Sequence, residues 1–323
     1  MPSVPASHLY RDLNELPQNR PLDPRVRHVS IDSKALGVTK RFYVALPPGY
    51  SQSANAHRHY PVVYLFRGHE REWIHRWQDR SRRGKTVIDV YRQLLEIGKV
   101  GPMILVFPGV SSDDNRIPGL LVNLLHPEKA VGAPGLGSGR FQDYFLDELI
   151  PYVDSKFRTI KDRSGRAVDG FSLGGFQSIK IAAQRPDLFC SAGAFDGTFL
   201  YATNRGRSVR SHDRVLRNPM FAPAFGSPHD PAFVTANSPA NLLIRNDRSA
   251  LAGVQWLIRS GPESGEPWHS NYFRAQHVVG ILKGRKLENG VEPVLKGSTH
   301  NWRWADKHME GTLPFHWQAL ANG

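Results

Sequence analysis

Short runs that are apolar from end to end recur along this chain, and they constrain its fold more than any other feature: PVVYLF at 61–66, MILVFP at 103–108 and SAGAF at 191–195. A strand with one wet face alternates polar and apolar residues, so an uninterrupted run predicts a strand covered on both faces, as in a parallel sheet between helical layers. Between the first two runs, Val87, Val90, Tyr91, Leu94 and Leu95 share one face of a helix predicted over Thr86–Ile97, which gives the start of a βαβ pattern. Upstream, Arg25–Asp32 and Val38–Leu46 alternate about Leu36-Gly37, the pattern of an antiparallel hairpin, and Pro47-Pro48-Gly49 stops the second strand. Further helices are predicted over Phe141–Asp154, from 175 to 184, and over Asn271–Lys286; VQWLIRS (254–260) reads as a core strand and VEPVLK (291–296) as the last one. The expectation is an α/β fold: a mostly parallel central sheet, an antiparallel N-terminal hairpin, and helices on both faces.

With 323 residues and 40% hydrophobic content the chain can bury a large core. We read residues 25–323 as one domain and 1–24, rich in proline, as an extended arm. The stretch 197–250 holds Pro219, Pro223, Pro228, Pro231 and Pro239 and reads as a loop-rich insertion that walls or partly lids a pocket. The long Gly, Pro and Ser-rich stretch 109–139 should line the same site from the carboxyl end of the strands. No apolar run reaches 18 residues and the first twenty lack a leader pattern, so no membrane span and a cytoplasmic location are expected, with a secreted mature form left open. The sole cysteine, Cys190, excludes an internal disulfide and reads as a small buried hydrophobe. The net charge of +13 is spread along the chain, and its densest runs, Arg71 to Arg83 and Arg205 to Arg217, are mixed with acidic residues, so no nucleic-acid partner is expected. Oligomeric state is not readable.

Chemistry concentrates at RAVDGFSLGGFQS, 166–178. An apolar run leads into Gly-Phe-Ser-Leu-Gly and then into a helix-compatible segment, the context of a strand-to-helix nucleophile elbow with Ser172 at its tip. Side chains at Gly170 and Gly174 would collide across such a bend. The amide of Leu173, at the start of the helix, is placed to hold a developing oxyanion. A serine needs a histidine base, and the histidine needs a carboxylate to fix its tautomer. Of 14 histidines, His300 alone follows the last predicted strand and precedes a closing helix. For the acid, Glu263 stands two residues beyond Gly261 and can reach a strand tip; Glu266, deeper in the same loop, is the alternative. No metal is expected, because an H-x-H reading finds no third ligand at a usable spacing and Asp113-Asp114 lacks the spaced carboxylates of a calcium loop. Gly84-Lys85-Thr86 lacks the earlier glycine of a phosphate loop, which is Asp79 here.

The stretches RFYVALPPGY, YPVVYLFRGHE, FLDELIPYVDSKFRT, RAVDGFSLGGFQSIKIAAQRPDLF, DPAFVTANSP and GSTHNWRWADKHM resemble the esterase branch of the α/β-hydrolases, in that order. That branch includes esterase D, the feruloyl and acetyl-xylan esterases of carbohydrate esterase family one, and bacterial mycolyltransferases. The resemblance implies an α/β-hydrolase fold, Ser172 as nucleophile, His300 as base, Glu263 as acid, and the amides of Leu173 and His69 as oxyanion hole. Two stretches depart from the pattern. Arg67-Gly68 stands where many relatives have His-Gly or Asp-Gly, at a side chain that touches substrate in some of them, and GPESGEPW replaces a more common Gly followed by Asp. The functional expectation is a serine carboxylic-ester hydrolase acting without a cofactor on a small-molecule or carbohydrate-linked ester. Acyl transfer to a sugar or alcohol, and a non-catalytic binding protein on the same scaffold, are the alternatives.

Overall fold

A computed structural model describes residues 22–130, 132–204, 207–208 and 215–321. Val26–Ser33 (β1) pairs antiparallel with Val38–Ala45 (β2), which in turn pairs antiparallel with Ile104–Pro108 (β4). Val62–Phe66 (β3), β4, Arg166–Gly170 (β5), Ser191–Phe195 (β6) and Gln255–Arg259 (β7) are mutually parallel. The seven-stranded sheet runs β1-β2-β4-β3-β5-β6-β7, so the hairpin is an antiparallel edge on a parallel core. All residues of β3 and β4 are buried, as their continuous apolar runs require.

Alternate side chains of the strands feed two cores. Val62, Tyr64 and Phe66 pack with Phe145, Ile179 and Val278 on one face, while Val63 and Leu65 pack with Val87, Tyr91, Trp302 and Met309 on the other. The first face is covered by a helix that runs through Phe141–Asp143, a π turn at Tyr144–Leu149 and Ile150–Lys156 (α2), by Leu173–Gln184 (α3) and by Tyr272–Gly284 (α4). The second is covered by Val87–Glu96 (α1) and Trp302–Ala321 (α5). Helix α1 starts at Thr86, whose hydroxyl accepts from Ile88 N while Asp89 accepts the Thr86 N–H, a reciprocal cap that satisfies two amides otherwise left open.

Two expectations fail here. VEPVLK forms no strand: it makes one isolated bridge, Val294 with Ser260 just past the end of β7, while Asn289, before the segment, bridges Trp256. Asn289 takes over the edge instead, its side chain accepting from Ile258 N at 2.7 Å and donating to Ile258 O at 3.1 Å. Pro293, with no N–H to give, suits a strap better than a ladder. The described part of the insertion is also more regular than a loop, with short helices at Ala222–Phe225, Pro231–Asn237, Pro239–Arg245 and Arg248–Ala252. Its prolines open helices, where a missing N–H costs nothing, rather than mark irregular chain. The arm expected over 1–24 lies outside the described residues up to 21; Asp23, within its last described stretch, is buried and accepts from Arg25 and from the Thr86 hydroxyl.

Candidate active site

Ser172 sits at the corner between β5 and α3 with φ +59° and ψ −116°, a backbone region that L residues rarely hold, and so a local strain that the surrounding structure must impose. The glycines explain how the corner closes. A Cβ on Gly170 would lie 2.2 Å from the Gly174 carbonyl, and one on Gly174 would lie 1.9 Å from Phe66 O. Backbone bonds fix the corner from the other side: Ser172 N donates to Phe195 O and Thr198 N donates to Ser172 O, both at 3.0 Å. Among the described residues the Leu173 N–H, at the first position of α3, has no hydrogen-bond partner.

His300 meets this corner. Its Nε2 lies 3.0 Å from Ser172 Oγ and its Nδ1 lies 2.6 Å from Asp196 Oδ2. The ring packs on Phe171 at 4.7 Å between centroids, and His300 N donates to His269 O, which pins the loop. Asp196 directly follows β6 at φ +49° and is fully buried. Its Oδ1 accepts from Gly261 N at 3.1 Å and Asn271 N at 2.8 Å, donors that fix the carboxylate and leave Oδ2 for the imidazole.

The acid in contact with His300 is therefore Asp196, not Glu263 or Glu266. Glu263 begins an exposed 3₁₀ turn, Glu263–Gly265, beyond the tip of β7, so its carboxylate faces solvent. Glu266 is spent on the start of α4, with Oε1 accepting from Phe273 N at 3.0 Å. Asp196 lay between a predicted strand ending at 195 and an insertion beginning at 197. The available signal was a carboxylate immediately after a buried strand, followed by Gly197. The expected oxyanion donor His69 is also corrected: its N–H donates to Glu72 Oε1 at 2.9 Å, because the turn after β3 folds Glu72 back over it. The neighbouring Gly68 lines the cleft, and its N–H has no partner among the described residues.

Ser172 and His300 open into a 450 Å³ cleft, large enough for a small-molecule ligand, whose walls include Arg67, Gln78, Phe171, Met220, Phe221 and Trp302. Insertion residues 215–221 thus contribute to the wall as expected, and Arg67 is in the cleft. Two buried polar clusters support the site from behind. Arg82, stacked on Trp302 just beyond His300, donates to both carboxylate oxygens of Asp306 and to the carbonyls of Glu72, Trp73 and His75. Beneath β5, Asp169 accepts from Gly170 N and meets His316 at 3.1 Å and His308 at 3.6 Å, with Ser191 completing the chain to His316. Burial pushes the His308 imidazole below its ordinary pKa even though Asp169 pulls the other way. No group of His, Cys, Asp or Glu suited to a metal ion occurs among the described residues.

A seven-stranded, mostly parallel sheet with a serine elbow after its fifth strand and an Asp-backed histidine defines an α/β-hydrolase. Residues 33–269 match the family model described as "Putative esterase", and the chain belongs to that esterase family. It is 28% identical over 272 residues to a protein named esterase Rv1288 from Mycobacterium tuberculosis, covering 82% of this chain and 51% of the relative. It is also 28% identical over 174 residues to an endo-1,4-beta-xylanase/feruloyl esterase from Xylanibacter ruminicola, covering 53% of this chain and 21% of that protein. The chain thus spans about half the length of the first of these relatives and less of the second. Among solved structures, a ferulic acid esterase superposes with a TM-score of 0.66 at 21% identity, covering 91% of this chain and 98% of the other. An S-formylglutathione hydrolase from Agrobacterium tumefaciens gives 0.63 at 19% identity, covering 91% and 95%. At these identities the structural likenesses establish the fold.

Proposed function

We propose that this chain is a serine carboxylic-ester hydrolase working through Ser172, His300 and Asp196. The observation that carries the reading is the unbroken hydrogen-bond chain from Ser172 Oγ through the imidazole to a buried carboxylate. His300 Nε2 removes the Ser172 proton as Oγ bonds to the ester carbonyl carbon; the same proton then goes to the leaving alkoxide as the C–O bond breaks. Water attacks the acyl-enzyme by the reverse use of His300, releasing the acid and restoring the serine. Asp196 holds Nδ1–H in place and compensates the imidazolium. The free N–H of Leu173, with that of Gly68, is the proposed oxyanion hole.

Esterase family membership supports the reaction class, and relatives named feruloyl esterase and S-formylglutathione hydrolase support esters and thioesters of small or sugar-linked molecules as the substrates to screen. The test is hydrolysis of p-nitrophenyl acetate and covalent labelling by a fluorophosphonate, in wild type and Ser172→Ala. Loss of both in the variant is expected, and equal rates in the two proteins would overturn the proposal. Product analysis with an added alcohol separates hydrolysis from acyl transfer.

A further inference from the structure

The hydrolase reading leaves one cleft residue with no assigned work. Arg67 directly follows β3 and lies against the elbow, since a Cβ on Gly174 would come within 2.8 Å of Arg67 N. Its guanidinium stands 5.5 Å from the centroid of the Phe171 ring, which also packs on the His300 imidazole. The side chain is 15% exposed, and that exposure is to the cleft. Its Nε is buried without a hydrogen bond, with the buried Glu72 Oε2 at 3.7 Å as the nearest anion. The other Glu72 oxygen is taken by His69 N and Asn115 Nδ2, so Glu72 is a fixed strut on the Nε side. On the far side, neither terminal nitrogen of Arg67 donates to any described residue.

A guanidinium mostly withdrawn from water normally fills its five-donor fork with acceptors, because an unmet charged donor is costly. Here the fork stands over an aromatic ring, braced on its Nε side by Glu72 and open at its terminal nitrogens, in the cleft that holds Ser172. Among the described residues that line the cleft the one carboxylate that could compete is that of Asp79, and its oxygens already accept from Ser81, Arg82 and the Trp302 N–H. Gln78, nearly buried in the same wall, presents a side-chain amide with no described partner and offers a further donor. What fits a planar double donor next to a reacting ester is a carboxylate, which accepts two parallel N–H bonds.

We propose that Arg67 selects esters that carry a carboxylate a few bonds from the scissile carbonyl, on either the acyl or the alcohol part. The inference rests on the hydrolase reading, and the experiment keeps the two apart. Two pairs that differ in whether they carry the carboxylate are compared by kcat/KM at low salt: 4-acetoxybenzoate against its methyl ester, followed as acetate release, for a carboxylate on the alcohol, and mono-p-nitrophenyl glutarate against p-nitrophenyl pentanoate for one on the acyl group. In at least one pair the wild type should favour the anionic ester by about tenfold or more, and the favoured pair identifies the side of the ester that faces Arg67. Arg67→Gln should erase that ratio and Arg67→Lys should keep part of it. A general loss of activity cancels in the ratio. Absence of preference in both pairs, or its survival in Arg67→Gln, overturns the role of Arg67 while leaving the serine hydrolase intact. If Arg67→Gln does not fold, or no ester is turned over, the decision falls to binding. Benzoate should raise the melting temperature of the wild type where benzamide does not, and equal effects overturn the proposal.

Discussion

The sharpest perturbation is Asp196→Asn set beside Glu263→Ala. Asparagine keeps an Oδ1 acceptor for Gly261 N and Asn271 N, now 3.1 and 2.8 Å from the carboxylate, so the loop geometry has no reason to collapse. The atom that changes is the one 2.6 Å from His300 Nδ1, where an NH₂ replaces an acceptor. His300 must then turn its Nδ1 lone pair toward the amide and place its proton on Nε2, the wrong tautomer for a base facing Ser172 Oγ at 3.0 Å. Removing the orienting acid in this way is worth on the order of 10⁴ in kcat in the serine-protease template, which corresponds to about 5.5 kcal/mol of barrier. Glu263→Ala removes an exposed side chain on a surface turn and should leave kcat/KM within about twofold. The assay is p-nitrophenyl acetate hydrolysis at pH 7.5, with circular dichroism to verify folding. An Asp196→Asn protein that is folded and retains more than about a tenth of the activity, or a crippled Glu263→Ala, would refute the assignment.

Three further outcomes are expected. Gly174→Ala places a Cβ 1.9 Å from the Phe66 carbonyl, a backbone atom that cannot swing aside, so the variant should lose about 3 kcal/mol or more in urea unfolding or fail to fold; near-native stability would contradict the packed corner. Arg82→Ala leaves the Asp306 carboxylate buried and unpaired, and burial already raises that group to about 6. The loss should be about 3–5 kcal/mol, and a change below about 1 would show the pair to be incidental. His308, buried with neither ring nitrogen hydrogen-bonded, has its folded pKa lowered by burial. The unfolded chain therefore takes up the proton first, so this contribution to stability is full above about pH 6.5 and is lost as pH falls below it. The melting temperature should drop between pH 7 and pH 5, and by less in His308→Gln; parallel profiles would remove His308 as the cause.

Much of the fold was legible because its signals are local. A run such as PVVYLF has no polar face to present to water, so its burial on both sides follows from composition alone. Gly170 and Gly174 flank Ser172 because no side chain fits there, and the contacts a Cβ would make bear this out. His300 was found by its place after VEPVLK, although that segment is a strap on the edge of β7 and the loop is set by His300 N bonding to His269 O. What was not legible depends on contacts across the chain. Whether a proline in 219–239 breaks or starts a helix depends on the N–H acceptors around it, and Asp230 capping Phe233 N is an example. Likewise nothing near Glu72 in the sequence says that it will take the His69 amide.

The acid shows the difference between chain order and position most clearly. A carboxylate serves His300 only by where it stands relative to Nδ1, and β6 is hydrogen-bonded directly to β5, one strand spacing of about 4.8 Å from the elbow. The residue before Asp196 accepts the Ser172 N–H, and Thr198, two residues after it, donates to the Ser172 carbonyl. Ser172 and Asp196 are thereby parts of one braced corner, whereas a glutamate at 263 would have to reach in from an exposed turn. The loops after β7 still take part, but as donors: Gly261 N and Asn271 N supply the hydrogen bonds that hold the Asp196 carboxylate in place. A reading by strand order assigns the carboxylate to β7. The hydrogen-bond geometry assigns it to β6 and leaves the loops beyond β7 to hold it in place.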